Sequence, residues 1–516
     1  MNATVIITLL FALLIRWLVA LHPYSGYQRP PMYGDYEAQR HWQEITINLP
    51  ISEWYRNSTE NDLLYWGLDY PPLTAYHSYL LGRMWVILKQ ELFDSILISF
   101  AKQINSKWID LGESRGYESY DHKLFMRSTG SSQLPFAICF FSIIIVLIAD
   151  LIFLSALIYY WIYLQKNSNN CVYLLRSLFI PSLILIDHGH FQIHRFRYNC
   201  VTLGLFFWAL NFLKREHDIL ASIMFCLALN YKQISLYYSL PLFLFLLKKC
   251  IEKKSFAMKI LKFIALALAV IISFSIIWLP FLTDLDSVLQ VIKRIFPINR
   301  GIYEDKVANF WFCVSIFFKI KIFLDSNQLA IMSVLCTLLA SLPGCYLLLR
   351  QSTFNQFKFA LINVSLAFFL FSFQVHEKTI LFVNTPMILL IDTHPFMFVA
   401  LIDQRSINTA LFHFTDYLCN FQSKFDLKIC NSTQWKFTKM FFLSIISIGA
   451  LSIASLFPSP FERFPHLYPV LNSLLSFLHF IAFYLTINIL QYYDFKENRC
   501  NRSMTKIREH RHEKLK

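Results

Sequence analysis

Charged residues are scarce in this sequence. They make up 16% of its 516 residues, against about 25% in ordinary soluble domains. Hydrophobic residues reach 56%, and phenylalanine alone occurs 51 times. That balance excludes a string of soluble domains. Apolar runs of membrane-spanning length recur along the chain, so it reads as an all-α polytopic membrane protein. Paired cysteine spacing is also missing. The 11 cysteines lie mostly within apolar runs (Cys139, Cys200, Cys226, Cys336), and only Cys419 and Cys430 are placed to pair. This argues against a disulfide framework and against a zinc site. No small-residue cleavage site ends the first apolar run, residues 5–21, whose one charge is Arg16. The run is therefore expected to stay as a first span.

What charge there is has a strong sign, +14 at neutral pH. Such a surplus can mark a nucleic-acid partner, but its placement argues for another cause. Six lysines lie between 248 and 262, and eight Lys or Arg between 496 and 516. Both groups flank apolar spans, as basic residues do on a cytoplasmic face. No nucleic-acid partner is expected.

Laying the runs end to end gives an expected organisation. Residues 1–21 form the first transmembrane helix, and 22–132 a long luminal loop with interfacial helices. Residues 133–282 hold further spans, 283–327 a second luminal loop with a re-entrant segment, 328–491 the C-terminal spans, and 492–516 a basic cytoplasmic tail. About 12 to 14 crossings are expected. The first loop carries 13 of the 33 acidic residues. It also holds the glycosylation acceptor Asn57-Ser58-Thr59, and at over 100 residues it is too long for a mere connection.

Sorted by side, the mixed polar clusters fall together. Asp35 to Glu44, Tyr65 to Pro72, Asp187 to Gln192, Tyr231 to Gln233, Arg300 to Asn309 and His376 to Lys378 are all expected on the lumen. The other side carries mostly plain Lys and Arg. In Gly34-Asp35-Tyr36-Glu37-Ala38-Gln39-Arg40-His41-Trp42, Asp35 stands where a helix N-cap would stand, so it is either a cap or a general base. Glu37, Arg40, His41 and Glu44 are spaced to share one helix face, and the first three are expected to bind substrate. Asp69 precedes two prolines and is a turn residue or a second acid. His188, His190 and Gln192 suit hydrogen bonds to a sugar or phosphate better than metal ligation, since only Asp187 adds a carboxylate. Tyr231, Lys232, Arg300, Lys306, His376 and Lys378 sit at span ends beside Glu304, Asp305 and Glu377. They are snorkelling interface residues, or donors to the anionic oxygens of a lipid-linked phosphate.

These same stretches, together with Trp66-Gly67-Leu68-Asp69-Tyr70-Pro71-Pro72, Ser114-Arg115-Gly116-Tyr117-Glu118 and Asp187-His188-Gly189-His190-Phe191-Gln192, resemble the endoplasmic-reticulum glucosyltransferases of N-glycan precursor assembly. The likeness runs along nearly the whole chain. Gln39-Arg40-His41-Trp42 and Asp187-His188-Gly189-His190 resemble the branch that adds the first glucose more than the sister branch that adds the second. The sequence departs from the family pattern at the inserted residues 193–197 and is shorter between about 396 and 418. The resemblance implies a GT-C fold and an inverting transfer of glucose from dolichyl-phosphate glucose to a dolichyl-pyrophosphate-linked high-mannose oligosaccharide. It implies Asp35 as base, Lys232, Arg300, Lys306, His376 and Lys378 around the phosphate with Glu377 orienting its neighbours, no metal and no cofactor beyond the donor. Membrane lipid is the other expected partner. A secondary transporter is the rival reading; it would place polar groups at mid-bilayer on broken helices, within a repeat that is absent here.

Overall fold

The computed structural model describes residues 3–20, 26–94, 109–118, 151–165, 169–184, 198–297, 307–394 and 466–514, with a few more between 447 and 464. Among the described residues the regular elements are helices, and none is a strand. The chain divides into two compact units, Met1–Leu236 with Ile260–Pro297, and Tyr237–Lys259 with Ile298–Lys516.

The first unit contains α1 (Ala3–Ala20), α2 (Gly34–Asn48), α3 (Pro72–Asp94), α4 (Asn170–Leu178), α5 (Tyr198–Lys214) and α6 (Asp218–Tyr231). The chain then leaves for α7 (Ser239–Ile251) of the second unit and returns with α8 (Phe256–Trp278) and α9 (Leu285–Ile295). Arg16, the charge inside the first apolar run, is buried. Its Nη2 donates to the carbonyl of Leu178 at 2.6 Å, closing the open C-terminal end of α4. A buried cluster that includes Trp42, Trp54, Tyr55, Leu68, Ala75, Tyr231, Phe281 and Val291 ties α2, α3, α6 and α9 together. Within 133–282, where further spans are expected, the apolar run after Asn170 is broken, because α4 ends at Leu178 before Pro181 opens a separate short turn of helix.

The second unit is α7 with α10 (Phe310–Phe317), α11 (Ser326–Arg350), α12 (Phe354–Phe371), α13 (Leu381–Met387) and α14 (Leu467–Lys514). Helix α12 is buried on nearly every side. On α11, Ser333, Thr337, Ser341 and Gly344 are buried along one stripe, the small-residue surface that lets helices approach in a membrane. Asp325 and Gln328 close a capping box at its start. Helix α10 has eight residues, about 12 Å of rise, well short of a bilayer.

Among the described residues, five helices are long and apolar enough to cross a membrane: Gln233–Ile251, Phe256–Phe281, Ser326–Arg350, Phe354–Phe371 and Leu467–Cys500. Five shorter apolar helices accompany them. Most of residues 134–157 and 441–457, and residues 395–420, lie outside the described residues. The basic tail is helical, since α14 continues unbroken to Lys514.

Candidate active site

Helix α2 is entered through Tyr33 and Gly34, both with positive φ (53° and 76°). Tyr33 takes the cap position, and Asp35 lies in the first turn. Of the two roles open to Asp35, the N-cap is set aside: two left-handed residues, not a capping side chain, turn the chain into the helix.

The shared face of α2 is real and closed. Glu37, Arg40, His41 and Glu44 are all 0% exposed. Arg40 Nε donates to Glu37 Oε2 at 2.8 Å, and Nη2 to Glu37 Oε1 at 2.6 Å and Glu44 Oε2 at 2.8 Å. Its Nη1 reaches Ser114 Oγ at 2.5 Å. The carboxylates in turn hold distant backbone: Gly112 N donates to Glu44 Oε1 at 2.8 Å, and Gly116 N to Glu37 Oε1 at 3.0 Å. Gly116 has φ +73°, and a Cβ there would meet the ring of Tyr33 at 2.5 Å. Tyr65 hydroxyl donates to Glu37 Oε1 at 2.8 Å, and Arg115 stacks on the Tyr65 ring. One guanidinium between two carboxylates thus binds α2 to residues 109–118.

Charge follows geometry. Burial alone would raise the Glu44 carboxyl, but the His41 hydrogen bond and the Arg40 charge outweigh it and hold the pKa at about 2. Burial lowers the Arg40 pKa and the two carboxylates more than restore it, so the group stays charged. Burial, then the Glu37 charge, pushes the Tyr65 hydroxyl above its usual range. His41 Nδ1 lies 3.1 Å from Glu44 Oε2, whereas its buried Nε2 has no hydrogen-bond partner among the described residues.

Two further sequence clusters meet this helix. Trp42 Nε1 donates to the Trp66 carbonyl at 2.9 Å, and its ring sits edge-on to Tyr70 at 5.1 Å. The Asp69 carbonyl accepts from Gln233 Nε2 at 3.1 Å. Lys232 is buried, donates to Asn199 Oδ1 at 2.6 Å and stands 5.2 Å over the Tyr70 ring. Tyr231 hydroxyl pairs with His77 Nδ1, and its carbonyl accepts from Thr74. The expected residues Glu37, Arg40, His41, Asp69, Tyr231 and Lys232 are therefore linked through one packed region of the first unit, with Asp35 on the same helix.

In the second unit, His376 caps the turn Glu377–Ile380, its Nδ1 accepting from Lys378 N at 3.0 Å. His188, His190, Gln192, Arg300, Glu304, Asp305 and Lys306 lie outside the described residues. Among the described residues no three His, Cys, Asp or Glu side chains gather as a metal site would require. Sequence reasoning passed over Ser114, Asn199 and His77. Ser114 had one pointer, its place in the Ser114-Arg115-Gly116-Tyr117-Glu118 stretch.

Residues 12–486 match the family model described as the ALG6, ALG8 glycosyltransferase family. The chain belongs to that family. It is 41% identical over 541 residues to a Gallus gallus protein named dolichyl pyrophosphate Man9GlcNAc2 alpha-1,3-glucosyltransferase, covering 97% of this chain and 98% of the relative. The Mus musculus protein of the same name is 40% identical, at 96% and 97% coverage. A Drosophila melanogaster relative, named as a probable one, is 40% identical at 95% and 99%. The family resemblance read from the sequence is borne out, and with it a helical membrane glycosyltransferase of the GT-C class.

Proposed function

We propose that this ALG6, ALG8 family member transfers the first glucose, in α-1,3 linkage, from dolichyl-phosphate glucose to Man9GlcNAc2 carried on dolichyl pyrophosphate. The observation that carries this reading is the near full-length likeness to relatives whose name states that acceptor and linkage. The proposed place is the lumenal face of the endoplasmic-reticulum membrane.

The donor's sugar is β-linked and the product α-linked, so a single displacement inverts the anomeric carbon. One base must take the acceptor hydroxyl proton on the side opposite the phosphate. Asp35 is assigned that role. Its helix is held by the Glu37–Arg40–Glu44 network, and a rigid support is what a base needs to keep its angle to the incoming oxygen. In this reading Glu37, Arg40 and His41 position the helix rather than touch sugar. The leaving group is a phosphate, which needs no protonation but gains from cations as charge develops. Lys232, Arg300, Lys306, His376 and Lys378 are the candidates, with Glu377 orienting its neighbours, and Asp69, Glu304, Asp305, His188, His190, Gln192 and Tyr231 are assigned to sugar hydroxyls. The reaction is assigned no metal and no cofactor beyond the donor.

Purified chain given acceptors bearing no glucose or one glucose should label only the first. Asp35→Asn should abolish labelling while eluting as folded protein. Transfer to the singly glucosylated acceptor alone would assign the chain to the second step, and near-normal turnover by Asp35→Asn would remove the base.

A further inference from the structure

Helix α9 has three faces instead of the usual two. Ser287, Val291 and Ile295 are buried in the first unit. Leu285, Leu289, Ile292 and, just beyond the helix, Phe296 are exposed by 75%, 41%, 41% and 51%. At 3.6 residues per turn these four fall within an arc of about 60°. Asp286, Gln290 and Lys293 occupy a third arc beside that stripe, away from the buried one. An ordinary surface helix has one apolar stripe, turned to the core. A second apolar stripe flanked by charge is the pattern of a helix lying in a membrane interface.

The neighbouring surface says what covers it. Helix α8 ends at Trp278, and five residues, Leu279–Phe281 and a following turn, lead from it to the Asp284 cap of α9. Ile271, Ile272, Ile276, Leu279 and Leu282 are all exposed along this approach, so the apolar surface of a candidate span continues towards the α9 stripe. The opposite side of α9 grips the chain near the candidate site. Arg294 Nη2 donates to the Gly67 carbonyl at 2.8 Å and Nε to the Leu68 carbonyl at 3.2 Å. Arg56 adds ties to Ser287 Oγ at 3.0 Å and Asp286 at 3.1 Å.

We propose that α9 is an in-plane membrane anchor. Its Leu285–Leu289–Ile292–Phe296 stripe rests in the headgroup–acyl boundary of the bilayer at the Trp278 end of α8. Through Arg294 it fixes the height of the Gly67–Asp69 segment above the lipid.

The test uses full-length chain in phosphatidylcholine vesicles, with a bimane fluorophore on Leu289→Cys, Ile292→Cys or Gln290→Cys and labelled parent chain as the blank. Lipids with brominated acyl chains should lower emission about twofold or more at 289 and 292, with little effect of aqueous iodide, and position 290 should show the reverse. Iodide reaching 289 and 292 as readily as 290 would overturn the anchor. So would shielding of both from both quenchers, which would point to a protein partner or a second copy. For the height-setting part, a probe at Leu64→Cys, beside the gripped segment, should change its lipid quenching when Arg294→Gln is added, while the stripe probes do not. No change at 64 would overturn that part.

Discussion

Arg40 spends its guanidinium on two carboxylates and one hydroxyl, all out of water. Lysine carries the charge but not the fork, so Arg40→Lys is a severe change at such a site. Breaking a buried pair costs about 3–5 kcal/mol, and Arg40→Lys is expected to approach that loss, read as a lower melting temperature of the detergent-purified chain. Glu44 gives the matching pH test. Its pKa is about 2 in the folded chain, below the ordinary 4.5 of a glutamate. A depressed carboxylate stabilises the fold fully above its unfolded pKa and loses that contribution as pH falls towards the folded one. Stability of the native chain should therefore fall between about pH 4.5 and 2, and Glu44→Gln should start lower and fall less steeply across that window. Sequence spacing made the α2 face legible, because Glu37, Arg40 and Glu44 are three and four apart. Ser114 was hidden because it meets Arg40 across 74 residues, a separation at which no periodicity speaks.

At the scale of elements, the junction of α11, α12 and α14 is buried and polar. Asn363 Nδ2 donates to Gln491 Oε1 at 2.6 Å, and Gln491 Nε2 to the Gly344 carbonyl at 2.9 Å. Gly344 leaves that carbonyl reachable, since a Cβ there would stand 3.1 Å from both Asn363 Cβ and Gln491 Oε1. Gln491→Leu removes both bonds and strands the buried Asn363 amide, the Gly344 carbonyl keeping its place in the helix ladder, at about 1–3 kcal/mol before relaxation. A drop in thermal stability, with the chain still inserted, is the expected outcome of a fluorescence melt. Apolar length located α8, α11 and α12 from sequence alone. It missed the break after Leu178 and the helical tail. A proline after a hydrophobic run can end a helix or merely kink it, and the charged residues that mark a cytoplasmic tail are also good helix formers.

For the molecule as a whole, sidedness is the property on which the proposed chemistry depends. Asn57 is exposed, and its Oδ1 accepts from Leu63 N at 3.1 Å. Its amide nitrogen is open to a glycan. Expressed in cells, the chain should show an endoglycosidase-sensitive mobility shift that Asn57→Gln removes; an unshifted parent chain would put the first loop on the other side. Charge asymmetry carried that prediction from sequence. What it left unread was how the first loop is braced, and the bracing has a consequence for how the protein is made. Glu44 waits for Gly112 and Ser114, 68 and 70 residues downstream. At the 5–20 residues per second of translation, that is roughly 4–14 s during which Glu37 and Glu44 have only Arg40 and His41 of their own helix to pair with. It cannot settle until residue 116 has left the ribosome. Polypeptides stopped between 50 and 110 should be recognised as unfinished by quality control.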